Sequence, residues 1–187
     1  MGFSDAKKLL LPTKYFSNQQ NMAVNNFDYS VSWSRFNELS ARPVNVKEDA
    51  QIHPEMAFNN FQVGKKGNAV IIKDVDIDID LVRDDCWVVT SKKSTDLLKH
   101  EQGHYDILAI CAREMYNAFL EITAKSTHDL QTKMEKVKTK LGDKVTVDDK
   151  RYDTKTNHGI DKTIQQTWDQ KIDSIKKNPK GTLDDLP

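Results

Sequence analysis

The spacing of apolar residues changes once along the chain, near Ser94. Before it, apolar and polar positions alternate in short runs. Phe27, Tyr29, Val31 and Trp33 are separated by single, mostly polar residues, and Val75, Ile77, Ile79 and Leu81 by Asp76, Asp78 and Asp80. A period of two puts successive side chains on opposite faces, so both runs predict half-buried strands. Gly64-Lys65-Lys66-Gly67 predicts a turn ahead of a strand at Ala69-Val70-Ile71-Ile72, and Cys86-Trp87-Val88-Val89-Thr90 is a further short strand. Turn-length connections predict antiparallel pairing. Residues 1–25, rich in Asn and Gln around Ser17-Asn18-Gln19-Gln20-Asn21, read as a polar lead-in.

From Ser94 the period is helical. Ser94 or Thr95 can cap a helix whose first turn holds Asp96, a charge the helix dipole favours. Leu97, Glu101, Leu108, Cys111 or Ala112, Met115, Phe119 and Ile122 then trace one stripe, and no proline interrupts the run before about Lys125. A second, polar helix is expected over 127–141, ended by Gly142 as a C-terminal cap. A loop is expected over 148–157, and a third helix over 160–177 stopped by Asn178-Pro179-Lys180-Gly181. Strands first and helices after predict an α+β fold, an N-terminal antiparallel sheet followed by three helices. The expected organisation is one domain over 26–177 and a flexible tail over 178–187.

Composition excludes several classes. Lys and Arg total 28 and so do Asp and Glu, so no net basic field points to nucleic acid. No run approaches the roughly 18 apolar residues of a membrane span. Leu9-Leu10-Leu11 before Pro12 is too short for the apolar core of a secretory leader, so a soluble chain is expected and its compartment stays open. Cys86 and Cys111 lack the spacing of a thiolate metal site and read as buried thiols. The carboxylates of Asp74 to Asp80 lack the glycine and terminal glutamate of a calcium loop and read as a solvated face. The Lys133-to-Lys144 region reads as a mixed-charge helix surface.

One cluster carries chemistry: His100-Glu101-Gln102-Gly103-His104. Residues four apart on a helix lie about 40° apart around the axis, so both imidazoles can reach one point. Zinc binds neutral imidazole nitrogen, which makes His100 and His104 two ligands of a site, with Glu101 beside the metal as general base toward metal-activated water. Gly103 costs the helix ~1 kcal/mol, and close approach of another group would explain it. A catalytic zinc takes a third protein ligand. Asp106 points about 200° away from His104, and Glu114 lies roughly 15 Å further along the axis, so neither reaches. Among His53, His128 and His158, the turn-rich setting of His158 favours it, with Asp153 in reserve. Tyr152 is either a donor to a tetrahedral intermediate or a tyrosine packed against the helices.

These residues resemble a known family. Residues 94–107 look like the core of a bacterial family of predicted secreted zinc-dependent proteases, catalogued as a domain of unknown function. Val31-Ser32-Trp33-Ser34-Arg35-Phe36 is similar to that family's opening strand, and Asp85-Cys86-Trp87-Val88 to the strand before its motif helix. Tyr152-Asp153 with Thr156, His158, Gly159, Gln165 and Trp168 resembles its C-terminal block. The resemblance implies a zincin-like active-site helix, zinc on His100 and His104, Glu101 as base, a role for the block from Tyr152 to Gly159, and a secreted or periplasmic location. The missing export signal departs from that pattern. The reading expected from sequence is therefore a zinc-dependent hydrolase acting on a peptide or protein substrate. A hydrolase of non-peptide amides or esters would use the same residues, and a non-catalytic metal-binding or protein-binding module of the same fold is the alternative.

Overall fold

The computed structural model describes residues 24–187. Its strands are β1 (Val24–Asn25), β2 (Asn37–Leu39), β3 (Ala50–Gln51), β4 (Pro54–Lys66), β5 (Ala69–Leu81), β6 (Trp87–Val89) and β7 (Thr123–Ala124). Its helices are α1 (Thr95–Leu120), α2 (Thr127–Thr156) and α3 (Lys162–Lys177). The fold is α+β, as the order of periods predicts. Except for β1, the polar lead-in lies outside the described residues.

Two small sheets flank α1. In the first, β5 stands between β1 and β4 and also pairs with β7; in the second, β6 lies between β2 and β3. The aspartate alternation on β5 is real: Val75, Ile77 and Ile79 are buried, and the intervening aspartates lie on the other face. Pairing is mixed rather than antiparallel, because β1 joins β5 and β2 joins β6 in parallel. The whole β4–β5 hairpin separates β2 from β6, so no tight turn dictates their direction. Gly64 falls inside β4; the hairpin turns at Gly67 and Asn68, where Gly67 has a φ of 61° that suits glycine.

The alternation over 27–33 is also real, yet no strand forms there. Val31 is buried and its neighbours Ser30 and Ser32 are exposed, but the segment has no ladder partner and runs into a 3-10 turn at Trp33–Arg35. Its partner is a side chain. Gln102 of α1 donates from Nε2 to the Tyr29 carbonyl (3.1 Å) and accepts from the Val31 N–H at Oε1 (2.7 Å). One amide thereby supplies the pair of bonds a neighbouring strand would give.

α1 runs through the middle of the molecule. Ser94 caps it by accepting from the Leu97 N–H, as expected. Burial extends around most of its circumference, from Tyr105 and Ala109 to Ile107, Ile110 and Met115. One core cluster joins it to α2, α3 and β5 through Ile72, Phe119, Leu141, Trp168 and Ile172; another joins it to β5, β6 and the 27–36 segment. The helix stops at Leu120, short of Lys125, and Thr123–Ala124 pairs with β5 instead.

α2 departs most from expectation. It does not stop at Gly142 but runs on to Thr156. A glycine costs a helix only ~1 kcal/mol, and the buried series Leu141, Asp148, Tyr152 and Thr156 continues past it at helical spacing. The loop expected over 148–157 is therefore the last third of a helix. Residues 178–187, expected as a tail, put Leu183 and Leu186 in the core. Arg113 of α1, itself 1% exposed, holds them by donating to the carbonyls of Ile175, Lys176 and Gly181, each at 2.8 Å.

Candidate metal centre

Two pairs of residues at a spacing of four face each other across the α1–α2 contact. α1 offers His100 and His104; α2 offers Asp149 and Asp153. Each pair is aligned by its own helix, so packing the two helices together suffices to assemble the site. The chain then leaves α2 through three left-handed residues, Asn157 (φ 50°), His158 (φ 52°) and Gly159 (φ 76°). A Cβ on Gly159 would sit 2.9 Å from His100 Cβ and 3.0 Å from its Cγ, so this turn presses bare backbone against the imidazole.

The hydrogen bonds around both rings define their tautomers. Gln165 donates from Nε2 to the Tyr152 hydroxyl (2.6 Å) and to Asp169 (2.7 Å), leaving Oε1 to face His100 Nδ1 at 3.0 Å. An amide oxygen only accepts, so His100 carries its proton on Nδ1. His104 Nδ1 faces an oxygen of Asp149 at 2.7 Å and is a donor for the same reason. In the neutral rings, both Nε2 atoms therefore present lone pairs. They lie 3.3 Å apart, and each is 3.1 Å from Oδ1 of Asp153.

Three lone pairs converging on one space repel unless something positive lies among them. A proton is one solution. Burial, the largest influence on His104, opposes its charge, but the hydrogen bonds with Asp149 and Asp153 prevail and push its pKa up to about 10. Burial likewise opposes ionisation of Asp153, and the bonds with His100 and His104 overcome it to hold its carboxyl well below the usual range. A cation is the other solution. Tetrahedral zinc with arms of 2.0–2.1 Å has ligand atoms about 3.3–3.4 Å apart. The triangle of the two Nε2 atoms and Asp153 Oδ1, with edges of 3.3, 3.1 and 3.1 Å, is close to one face of such a tetrahedron. These donors fit the metal.

His158 stands next to this trio, its Nδ1 3.4 Å from Asp153 Oδ1 and its Nε2 3.8 Å from Glu48. Donor atoms of His100, Asp153 and His158 all lie within 4.8 Å of one another, a looser group than the first. Asp153, the reserve choice from sequence, belongs to both groups. His53 pairs with Glu55 and Asp85 on the surface, away from the cleft. His128, in the first turn of α2, lies roughly 37 Å along that helix from Asp153 at 1.5 Å per residue. Neither can contribute.

Glu101 is 3% exposed and lines the same cleft, a space of about 690 Å³. Burial raises its pKa; the facing imidazoles of His104 and His100 and the Ile52 backbone N–H oppose that rise. A carboxyl held above the ordinary carboxylate range is a stronger base than a free one, which suits a group that takes up a proton and passes it on. Tyr152 does not meet the expectation of a donor to substrate. It is fully buried, its hydroxyl donates to the His100 carbonyl (3.2 Å) and accepts from Gln165, and its ring stacks on His100 at 4.8 Å. It sets the position of a candidate ligand. Gly103 makes room for it, since a Cβ there would lie 2.5 Å from Tyr152 Cζ and closer still to the hydroxyl. The strand beside the cleft is β3 with Ile52, not β5 or β6. Asp149 had no role from sequence; the signal was its spacing of four from Asp153, hidden by ending the helix at Gly142.

Residues 85–159 match the model of a family described as bacterial protein of unknown function (DUF922). Over that span the chain is similar to a bacterial family of unknown function. The match begins just before β6, includes all of α1 and α2, and ends at Gly159, so every donor of the cluster falls inside it. The family's description assigns no activity. No curated protein and no solved structure matches the chain. Among the described residues no helix is long and apolar enough to cross a membrane.

Proposed function

We propose that the protein is a zinc-dependent hydrolase acting on peptides, with His100, His104 and Asp153 as metal ligands and Glu101 as general base. The observation that carries the reading is the triangle of two Nε2 atoms and one carboxylate oxygen, all with lone pairs directed inward and spaced as one face of a tetrahedral site. His158, the third ligand expected from sequence, takes the outer place: it is 40% exposed and turns its Nδ1 toward Asp153. Three protein ligands leave one position open, as a catalytic site requires.

Zinc bound there would supply Lewis acidity toward a carbonyl and toward water. The remaining work falls to the chain. Glu101, directly after the first histidine and facing both rings, takes the proton from the attacking water and delivers it to the leaving amine. Gln165 and Asp149 hold the two imidazoles in the tautomer that frees Nε2. Peptide is favoured over other amides and esters by β3. It pairs with β6 on one side only, and Ala50, Gln51 and Ile52 form a wall of the cleft, so an extended substrate can add to its open edge beside Glu101.

A second reading has an observation of its own. With a pKa of about 10, His104 can remain protonated between Asp149 and Asp153, which would satisfy the cluster without metal in a non-catalytic module. Metal content and turnover separate the two. Elemental analysis of wild type and Glu101→Gln is expected to find one zinc per chain in both, with peptide hydrolysis in wild type alone. Absence of zinc after reconstitution would leave the protonated cluster and remove the hydrolase.

A further inference from the structure

The wall of the cleft carries four basic side chains, Arg42, Lys47, Lys92 and Lys162. Two have partners in the fold. Arg42 Nε lies 2.7 Å from Asp49, and Lys162 Nζ lies 3.1 Å from Asp96 while donating to the Gly159 carbonyl at 2.9 Å. Lys47 and Lys92 are exposed and, among the described residues, have no carboxylate within ion-pair reach. Lys93, next in the chain to Lys92, is by contrast tied to Glu38.

The carboxylates of the same wall are already engaged. Asp49 is held by Arg42, Asp149 by His104, and Asp153 by the imidazoles. Glu48 turns toward His158 and accepts the Lys47 backbone N–H, and Glu101 is buried against the rings. None of these carboxylates lies within ion-pair reach of the two ammonium groups. They come from separate segments: Lys47 from the connection between β2 and β3, Lys92 from the 3-10 turn between β6 and α1. Substrate laid along β3 would meet a cation from each.

We propose that Lys47 and Lys92 select acidic peptide segments, placing glutamate or aspartate side chains of the substrate against the rim of the metal cleft. This rests on the peptidase reading and adds the class of its substrate. Charges at such a rim act mainly through association and are screened by salt, so the preference is strongest at low ionic strength.

The test measures binding apart from turnover. Zinc-loaded Glu101→Gln protein is titrated with three fluorescein-labelled decapeptides of one scaffold, carrying paired glutamates, glutamines or lysines, and anisotropy is read at 20 and 300 mM salt. The acidic peptide is expected to bind about tenfold more tightly than the neutral one at low salt, with most of that margin lost at high salt. The double variant Lys47→Glu/Lys92→Glu is expected to abolish or invert the order. Lys65→Glu/Lys66→Glu, which makes the same change in net charge on the distant hairpin, is expected to preserve it. Equal binding of all three peptides, or a preference that persists in Lys47→Glu/Lys92→Glu, overturns the inference and leaves the peptidase reading standing. If no peptide of any charge binds the Glu101→Gln protein and none is cleaved by zinc-loaded wild type, the peptidase reading falls and this inference falls with it.

Discussion

Replacing Gly103 by alanine sets two scales against each other. Helix propensity alone makes Gly103→Ala stabilising by ~1 kcal/mol, because alanine loses less backbone entropy on entering a helix. The structure predicts the opposite sign. The added methyl would lie 2.5 Å from Tyr152 Cζ and overlap its hydroxyl. Tyr152 is fully buried between His100 and Trp168 and has nowhere to retreat. Moving it breaks the bond from Gln165 and the bond to the His100 carbonyl, each worth ~1 kcal/mol. Overpacking adds about 1–3 kcal/mol, so the net expectation is a destabilisation of about 2–4 kcal/mol. Gly142 supplies the control, since nothing lies within 4 Å of a Cβ built on it in the middle of α2. Gly142→Ala should therefore show the plain propensity gain of ~1 kcal/mol. Urea unfolding of both metal-free variants measures the pair. Because Tyr152 stacks on His100, Gly103→Ala should also weaken zinc binding by roughly 10–100-fold, the usual cost of disturbing a ligand's support. Equal stabilisation by the two alanines, with zinc affinity unchanged, would refute the packing argument.

Three further outcomes follow from the geometry. Asp153→Ala should abolish stoichiometric zinc binding, whereas His158→Ala should retain one zinc per chain with a modest loss of affinity; competition against a chromophoric chelator compares them, and the reverse order would make His158 the ligand. Arg113→Met should cost about 3–5 kcal/mol in urea unfolding, because it takes a charged donor from each of the carbonyls of Ile175, Lys176 and Gly181, of which Ile175 keeps only the Asn178 N–H, and loosens the segment holding Leu183. Zinc binding near pH 8 should release about one proton, since the folded pKa of His104 is about 10 and a ligand must be deprotonated. In the metal-free protein the same raised pKa stabilises the fold in full below about pH 6.5 and is lost as pH rises through 10. Calorimetry in buffers of different ionisation enthalpy counts the proton, and none released would mean that His104 is neutral before metal arrives.

The helical half of the site was legible because the constraint is local. His100, Glu101, Gly103 and His104 share two turns of one helix, and a spacing of four fixes their common face whatever packs against it. The acidic half was less so, since its position depends on whether α2 continues past Gly142. Local chemistry there favours a stop. What decides the matter is the buried face of Leu141, Tyr152 and Thr156 packing on α1 and α3, a tertiary effect that outweighs one glycine. The 27–33 segment teaches a related point. Its alternation records alternating burial, and a strand needs a ladder as well, which here is replaced by the single amide of Gln102. The open edge of β3 could not be read, because a two-residue strand leaves almost no period.

Gln102 and Gly103 also explain why the spacer of the motif matters as much as its ends. On one side of α1, Gln102 fastens the 29–31 segment and donates to Asp106 (3.1 Å), which accepts in turn from Lys176 of α3 (2.7 Å). On another, Gly103 admits Tyr152, whose hydroxyl joins the His100 carbonyl to Gln165 of α3. Gln102 and Gly103 thus anchor α1 to the N-terminal segment, to α2 and to α3, while His100 and His104 turn inward to one point. A site assembled this way loses geometry when any neighbour shifts. Substitutions at Gln102 or Gly103, which do not line the cleft, are for that reason expected to act on metal affinity as strongly as the removal of a hydrogen bond from a ligand itself.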